Sequence, residues 1–168
     1  DLQKKFEITT IFVTHDQEEA VEMSDKIALV LNGELEQFDQ PENFFKKPIN
    51  MKTARFFGCK NFINGISKNN KFMSSIGEFY LPKDLPSNGG FLILRPENIQ
   101  IGKDDKNINT MKVKVIEKIF LGKQTRLKLA IKDEIFETTF NPNETKNLIE
   151  GNDIYVNIPP SCLWTIKN

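Results

Sequence analysis

The chain has 168 residues, with 23 Lys+Arg against 23 Asp+Glu, 39% hydrophobic and 27% charged, the balance of a soluble globular protein. That length holds one full domain, or a small domain plus a piece of another. No apolar run approaches the roughly 20 residues a spanning helix needs, so neither a membrane segment nor a signal peptide is expected. Charge is uneven: residues 1–57 carry 7 basic against 11 acidic side chains and residues 58–168 carry 16 against 12, a hint of two units. Cys59 and Cys162 stand far apart without metal or redox spacing, which indicates no zinc site and no disulfide framework and fits a reducing compartment.

Residues 2–6 read as the end of a helix. Residues 8–13, Ile-Thr-Thr-Ile-Phe-Val, have the continuous apolar and β-branched character of a strand buried on both faces of a parallel sheet. Just beyond stands His15, the only histidine. Asp16 suits the N-cap of a helix, with Glu19 as its capping-box partner and Ala20, Val21 and Met23 as a short apolar side. Strand-to-helix junctions of this kind bring polar side chains and free helix N–H groups to a ligand, and an imidazole there could reach a phosphate.

Apolar residues 27–31, the dipeptide Asn32-Gly33 and alternating residues 34–38 predict a hairpin. Pro41 suits the first turn of a helix running through Phe44 and Phe45 and ended by Pro48, and a second short helix over about 51–57 stops at Gly58. After Gly58 the pattern changes to short alternating segments. Residues 91–94 read as a buried strand. Val113 and Val115 alternate with Lys112 and Lys114, Leu127, Leu129 and Ile131 with Arg126 and Lys128, and Ile154, Val156 and Ile158 repeat the pattern. Such strands argue for a small antiparallel barrel or sandwich. No internal repeat is evident. Gly122 reads as a turn or bulge between strands, and Trp164 as core or interface. The 14 phenylalanines are read as core, because a base-stacking platform would come with a basic groove; no nucleic-acid partner is expected.

The ordered series Val13-Thr14-His15-Asp16-Gln17-Glu18-Glu19-Ala20, Ser24-Asp25-Lys26-Ile27-Ala28, Asn32-Gly33-Glu34-Leu35-Glu36-Gln37, Gln40-Pro41, Lys47-Pro48 and Phe56-Phe57-Gly58 resembles the switch-histidine region of ATP-binding-cassette (ABC) ATPase subunits of binding-protein-dependent importers. Leu94-Arg95-Pro96-Glu97-Asn98-Ile99 resembles the signature of the OB-like TOBE domain that such subunits carry C-terminally. The resemblance implies a mainly β chain: a small antiparallel OB-like barrel over 58–168, preceded by an α/β remnant of a P-loop ATPase domain over 1–57. It implies the C-terminal portion of a subunit, beginning in the helix before the switch strand. His15 takes the family's switch role, contacting the γ-phosphate of ATP and helping to position the attacking water.

The chain has no G-x-x-x-x-G-K-[ST] loop, no family signature sequence and no strand ending in a magnesium-binding Asp and catalytic Glu. It is therefore not expected to bind or hydrolyse ATP alone; ATP and Mg2+ belong to the intact parent. The implied partners are a second copy of the subunit and membrane-spanning permease subunits, at the cytoplasmic face of the cell membrane. Phe57-Gly58-Cys59-Lys60-Asn61 resembles importers of the molybdate type. That makes an oxyanion such as molybdate or sulfate a candidate solute, or a ligand of the C-terminal domain held by the planar fork of Arg95. Pairing of Arg95 with Glu97 or with main-chain carbonyls is the structural alternative. Two other readings are a stand-alone OB-like oxyanion sensor and an OB-fold nucleic-acid binder. Residues 1–57, without sheet neighbours for their buried strand, are expected to expose apolar surface and to self-associate or repack.

Overall fold

The computed structural model describes residues 8–82, 85, 89–104 and 106–167. The expected helix end at 2–6 lies outside them. Residues 8–13 form no strand, a correction to the sequence expectation. A strand needs a neighbour for its N–H and C=O groups, and none of the described sheets reaches this segment, which leaves Ile11 91% and Val13 97% exposed.

A helix, Gln17–Met23, follows, and then the predicted hairpin of β1 (Ile27–Leu31) and β2 (Glu34–Asp39). Asn32 (φ 53°) and Gly33 (φ 82°) supply the two left-handed residues that match a tight turn to the strand twist. Its inner face sends Ile27 and Leu29 into a small core with Phe44 and Phe57. Its outer face pairs Ala28 with Phe38 and Val30 with Leu35, all four exposed. The helices Pro41–Lys46 and Met51–Phe56 come next. Pro41 occupies the first turn of the former, and Asn50 caps the latter by accepting from the Thr53 amide at 2.8 Å. Gly58, at φ 81°, ends it.

Ten strands then make two five-stranded antiparallel sheets among the described residues. In chain order they are β3 (Asn61–Lys68), β4 (Lys71–Ser74), β5 (Gly77–Tyr80), β6 (Gly89–Leu94), β7 (Gln100–Gly102), β8 (Thr110–Phe120), β9 (Thr125–Ile131), β10 (Glu134–Phe140), β11 (Asp153–Asn157) and β12 (Trp164–Lys167). One sheet runs β12-β6-β3-β4-β5 and the other β7-β11-β8-β9-β10.

The two orders are the same when β3 to β6 are matched with β8 to β11 and the edge strands β12 and β7 with each other. Each four-strand unit therefore receives its fifth strand from the other's connection. Registers agree as well. Asn61 stands opposite Leu94 as Asn109 stands beside Ile158, and the pairs Phe91–Ile166, Leu92–Thr165 and Ile93–Trp164 repeat as Tyr155–Gly102, Val156–Ile101 and Asn157–Gln100. Each crossing passes through a single 3-10 turn opened by proline, Pro96–Asn98 and Pro160–Cys162. The β module is thus a structural duplication with exchanged edge strands, which the sequence pattern did not show.

Between the sheets lies one apolar core, filled by Phe72, Phe79, Leu92, Val115, Leu127, Leu129 and Val156, each no more than 1% exposed. The alternation noted in β8, β9 and β11 places these inward. β12 closes against Gly90, where a Cβ would collide with the Ile166 carbonyl.

Candidate functional site

Two places hold the residues singled out by sequence. The first is the junction at His15. Asp16 caps the following helix, its Oδ1 accepting from the Glu18 and Glu19 amides at 2.8 and 3.1 Å. The capping box is not reciprocal as expected. The Asp16 amide instead donates to Thr14 Oγ1 at 3.0 Å, and the Thr14 hydroxyl donates to Glu19 Oε2 at 2.7 Å. Thr14 inserts itself because its hydroxyl can donate and accept at once. The loop Thr14-His15-Asp16 is thereby tied at both sides, with the His15 imidazole exposed between. Thr14 was not picked out by sequence reasoning, although a hydroxyl residue two positions before an N-cap carboxylate is a readable signal.

The second place is Arg95, 5% exposed, just before the Pro96–Asn98 turn. Its guanidinium donates from Nε to Phe45 O at 2.6 Å, from Nη1 to Phe57 O at 2.8 Å and from Nη2 to Phe44 O at 3.0 Å. It also stacks 5.1 Å from the Phe45 ring centre, with Glu97 3.7 Å from Nη1. Burial draws its pKa below the ordinary guanidinium value, opposed by the neighbouring Glu97 charge. The fork faces the carbonyl ends of two helical segments, so the arrangement joins the β module to residues 44–57.

Trp164 reinforces that junction by donating from Nε1 to Pro48 O at 3.0 Å. Ala54, Cys59, Ile93 and Ile166 form an apolar cluster beneath it. Burial pushes the Cys59 thiol up, which suits packing rather than nucleophilic chemistry. The two sites are separate groups of contacts; no hydrogen bond or ion pair joins His15 to Arg95 among the described residues. Nor does any group of three or more His, Cys, Asp and Glu side chains there converge as a metal set.

Two asparagines, also missed by sequence, close the seams between the sheets. Asn61 accepts from the Glu137 amide at 2.7 Å and donates to Glu137 O at 2.8 Å. Asn109 does the same to Tyr80, at 2.6 and 2.9 Å. Each side-chain amide pairs with an edge residue as a strand would.

Comparison with known proteins fits this geometry. Residues 92–165 match the TOBE domain family. A spermidine/putrescine import ATP-binding protein PotA of Mycoplasmopsis synoviae is 31% identical over 180 residues, spanning 99% of this chain and 36% of that protein. The PotA of Clostridium acetobutylicum is 33% identical over 170 residues, spanning 99% of this chain and 47% of that protein. The chain thus spans between about a third and half the length of these relatives. The cytoplasmic molybdate-binding protein ModG, solved with molybdate bound, superposes with a TM-score of 0.52 over 64% of this chain and 95% of its own, at 9% identity, a likeness of fold alone.

The TOBE match in a duplicated OB-like module, with similarity to import ATP-binding proteins along 99% of the chain, defines the class of protein. The chain belongs to the ATP-binding subunits of ABC importers, as a TOBE-containing C-terminal portion. These relatives, matched over 99% of this chain, carry the names of spermidine and putrescine importers, so residues 57–61 do not by themselves point to molybdate.

Proposed function

We propose that the parent subunit hydrolyses ATP to drive uptake of a polyamine such as spermidine or putrescine. Residues 1–57 complete its ATPase domain and residues 58–168 form its regulatory and dimerisation domain. The observation that carries this is the tied Thr14-His15-Asp16 loop, which holds an exposed imidazole at a helix start beside a segment whose exposed apolar side chains await a sheet. In the assembled subunit His15 donates a hydrogen bond to the γ-phosphate and orients the attacking water; positioning of this kind supplies most phosphoryl-transfer catalysis. ATP and Mg2+ are held by the rest of the subunit, since this chain carries no phosphate loop. A second copy and the membrane-spanning subunits complete the transporter at the cytoplasmic face of the membrane. Arg95 acts as a clamp between the two units and not as an anion site, because three of its donors are spent on carbonyls.

The test is a chimera: the Clostridium acetobutylicum PotA with its matching segment replaced by this chain, reconstituted with its permease and binding protein. ATP-dependent uptake of labelled spermidine, with none of molybdate, is the expected result. Failure of a folded chimera to take up spermidine, or uptake of molybdate, would contradict the reading.

A further inference from the structure

The seam that Asn61 closes is open immediately beside it. β10 is an edge strand, and its two-residue turn at Lys132 and Asp133 sets which residues face β9. Ile131 and Glu134 form the closing pair, so Glu134, Phe136 and Thr138 turn their N–H and C=O groups to β9, while Ile135 and Glu137 turn theirs outward. Glu137 is met by Asn61. The N–H and C=O of Ile135 meet nothing among the described residues, and its side chain is 63% exposed.

In front of them lies a groove of about 380 Å³. Met51, Phe62 and Phe91 form an apolar side, and Arg55 and Lys60 line it as well. Across it, β3 pairs with β4 only from Gly65 onward, so its first half also lacks a neighbour on the groove side. Lys60 is neutralised by Glu137 at 2.6 Å. Arg55 stacks 5.2 Å from the Phe62 ring centre and has no carboxylate within ion-pair distance among the described residues. Glu134 lines the same groove.

We propose that this seam is a strand-addition site for a protein partner, which inserts an extended peptide segment beside β10 and sets an acidic side chain on Arg55. Asn61 demonstrates the chemistry, since its amide already occupies one peptide position along the edge. An inserted main chain continues that pattern by one further pair of hydrogen bonds at Ile135. An apolar side chain on its outer face packs on Phe62 and Phe91, and a carboxylate two positions along accepts from the N–H edge of the Arg55 guanidinium.

The experiment is an amide-resolved NMR titration of the 168-residue chain with the capped peptide acetyl-Val-Thr-Glu-Thr-Val-amide, whose valines and glutamate share one face of the strand, and its lysine counterpart acetyl-Val-Thr-Lys-Thr-Val-amide. The glutamate peptide is expected to shift the Ile135 and Phe62 signals saturably and to bind at least about 5-fold tighter than the lysine one. Ile135→Pro removes one outward donor without touching the β9 ladder and should weaken binding about 10-fold. Arg55→Glu should reverse the peptide preference. The proposal is overturned if the shifts map elsewhere or do not saturate, if the lysine peptide binds as well or better, or if a folded Ile135→Pro binds undiminished.

Discussion

Arg95 shows how far a single side chain can be read. Its place in Leu94-Arg95-Pro96-Glu97 marked it in sequence, and a carbonyl-bound role stood beside the anion role. What the sequence could not give was which carbonyls, because Phe44, Phe45 and Phe57 lie 38 to 51 positions away. Arg95→Ala leaves three carbonyl acceptors without their charged donor and should cost about 3 kcal/mol in urea unfolding. Arg95→Lys should recover no more than about 1 kcal/mol, since one ammonium lacks the planar fork. His15 is the opposite case. It is exposed, so His15→Ala should change stability by less than about 0.5 kcal/mol, and any large effect on ATP turnover is then chemical in origin.

Among the elements, the β1–β2 hairpin, the helices Pro41–Lys46 and Met51–Phe56, and strands β6, β8, β9 and β11 were legible because local chemistry specifies them: Asn-Gly at the turn, Pro at the first helical turn, alternation along the strands. The strand expected at 8–13 failed because its stability is not local; the same apolar residues need a sheet the described chain does not contain. The contact between β2 and the last helix rests on Glu36, which accepts from Lys52 Nζ at 2.8 Å and from Asn50 Nδ2 at 2.7 Å. The hydrogen bond from Lys52, then that from Asn50, holds the Glu36 carboxyl below its ordinary value of 4.5. A depressed carboxyl contributes stability above its unfolded pKa and loses it as pH falls through the folded one. The protection factors of the Met51–Phe56 amides, taken against the intrinsic exchange rate at each pH, should therefore fall below about pH 4.5. Glu36→Gln should flatten that acid response; an unchanged profile in the variant would remove Glu36 from it.

At the scale of the whole molecule, the mainly β, OB-like class was readable from segment spacing, but the duplication was not. Its two halves share registers and strand order while few residues coincide, among them Asn61 with Asn109, Phe79 with Phe136 and Pro96 with Pro160. Most of what matches is backbone geometry, which different apolar residues satisfy equally well. The two asparagines close opposite seams in the same way, Asn61 with a further bond to Leu94 O at 2.8 Å, and share no partner. Asn61→Asp and Asn109→Asp each replace a donor by a second acceptor facing a carbonyl, and each should cost about 2 kcal/mol, with the double variant close to the sum. Strong non-additivity would show that the seams are mechanically coupled. The faces of the two sheets also diverge: Phe62, Phe91, Ile93, Trp164 and Ile166 lie under the helix Met51–Phe56, whereas their counterparts are Thr110, Tyr155, Asn157, Gln100 and Gly102. Docking to residues 44–57 is thus written on one half of the duplication only.

The most direct measurement is single-turnover ATP hydrolysis by the Clostridium acetobutylicum chimera carrying this chain, with and without His15→Ala, alongside ATP affinity. Hydrolysis slowed on the order of 100-fold, with affinity changed only a few-fold, is the expected result, since His15 positions the reacting groups while other segments hold the nucleotide. Hydrolysis at the unsubstituted rate in the His15→Ala chimera would contradict the role given to this residue and, with it, the reading of residues 1–57 as the closing segment of an ATPase site.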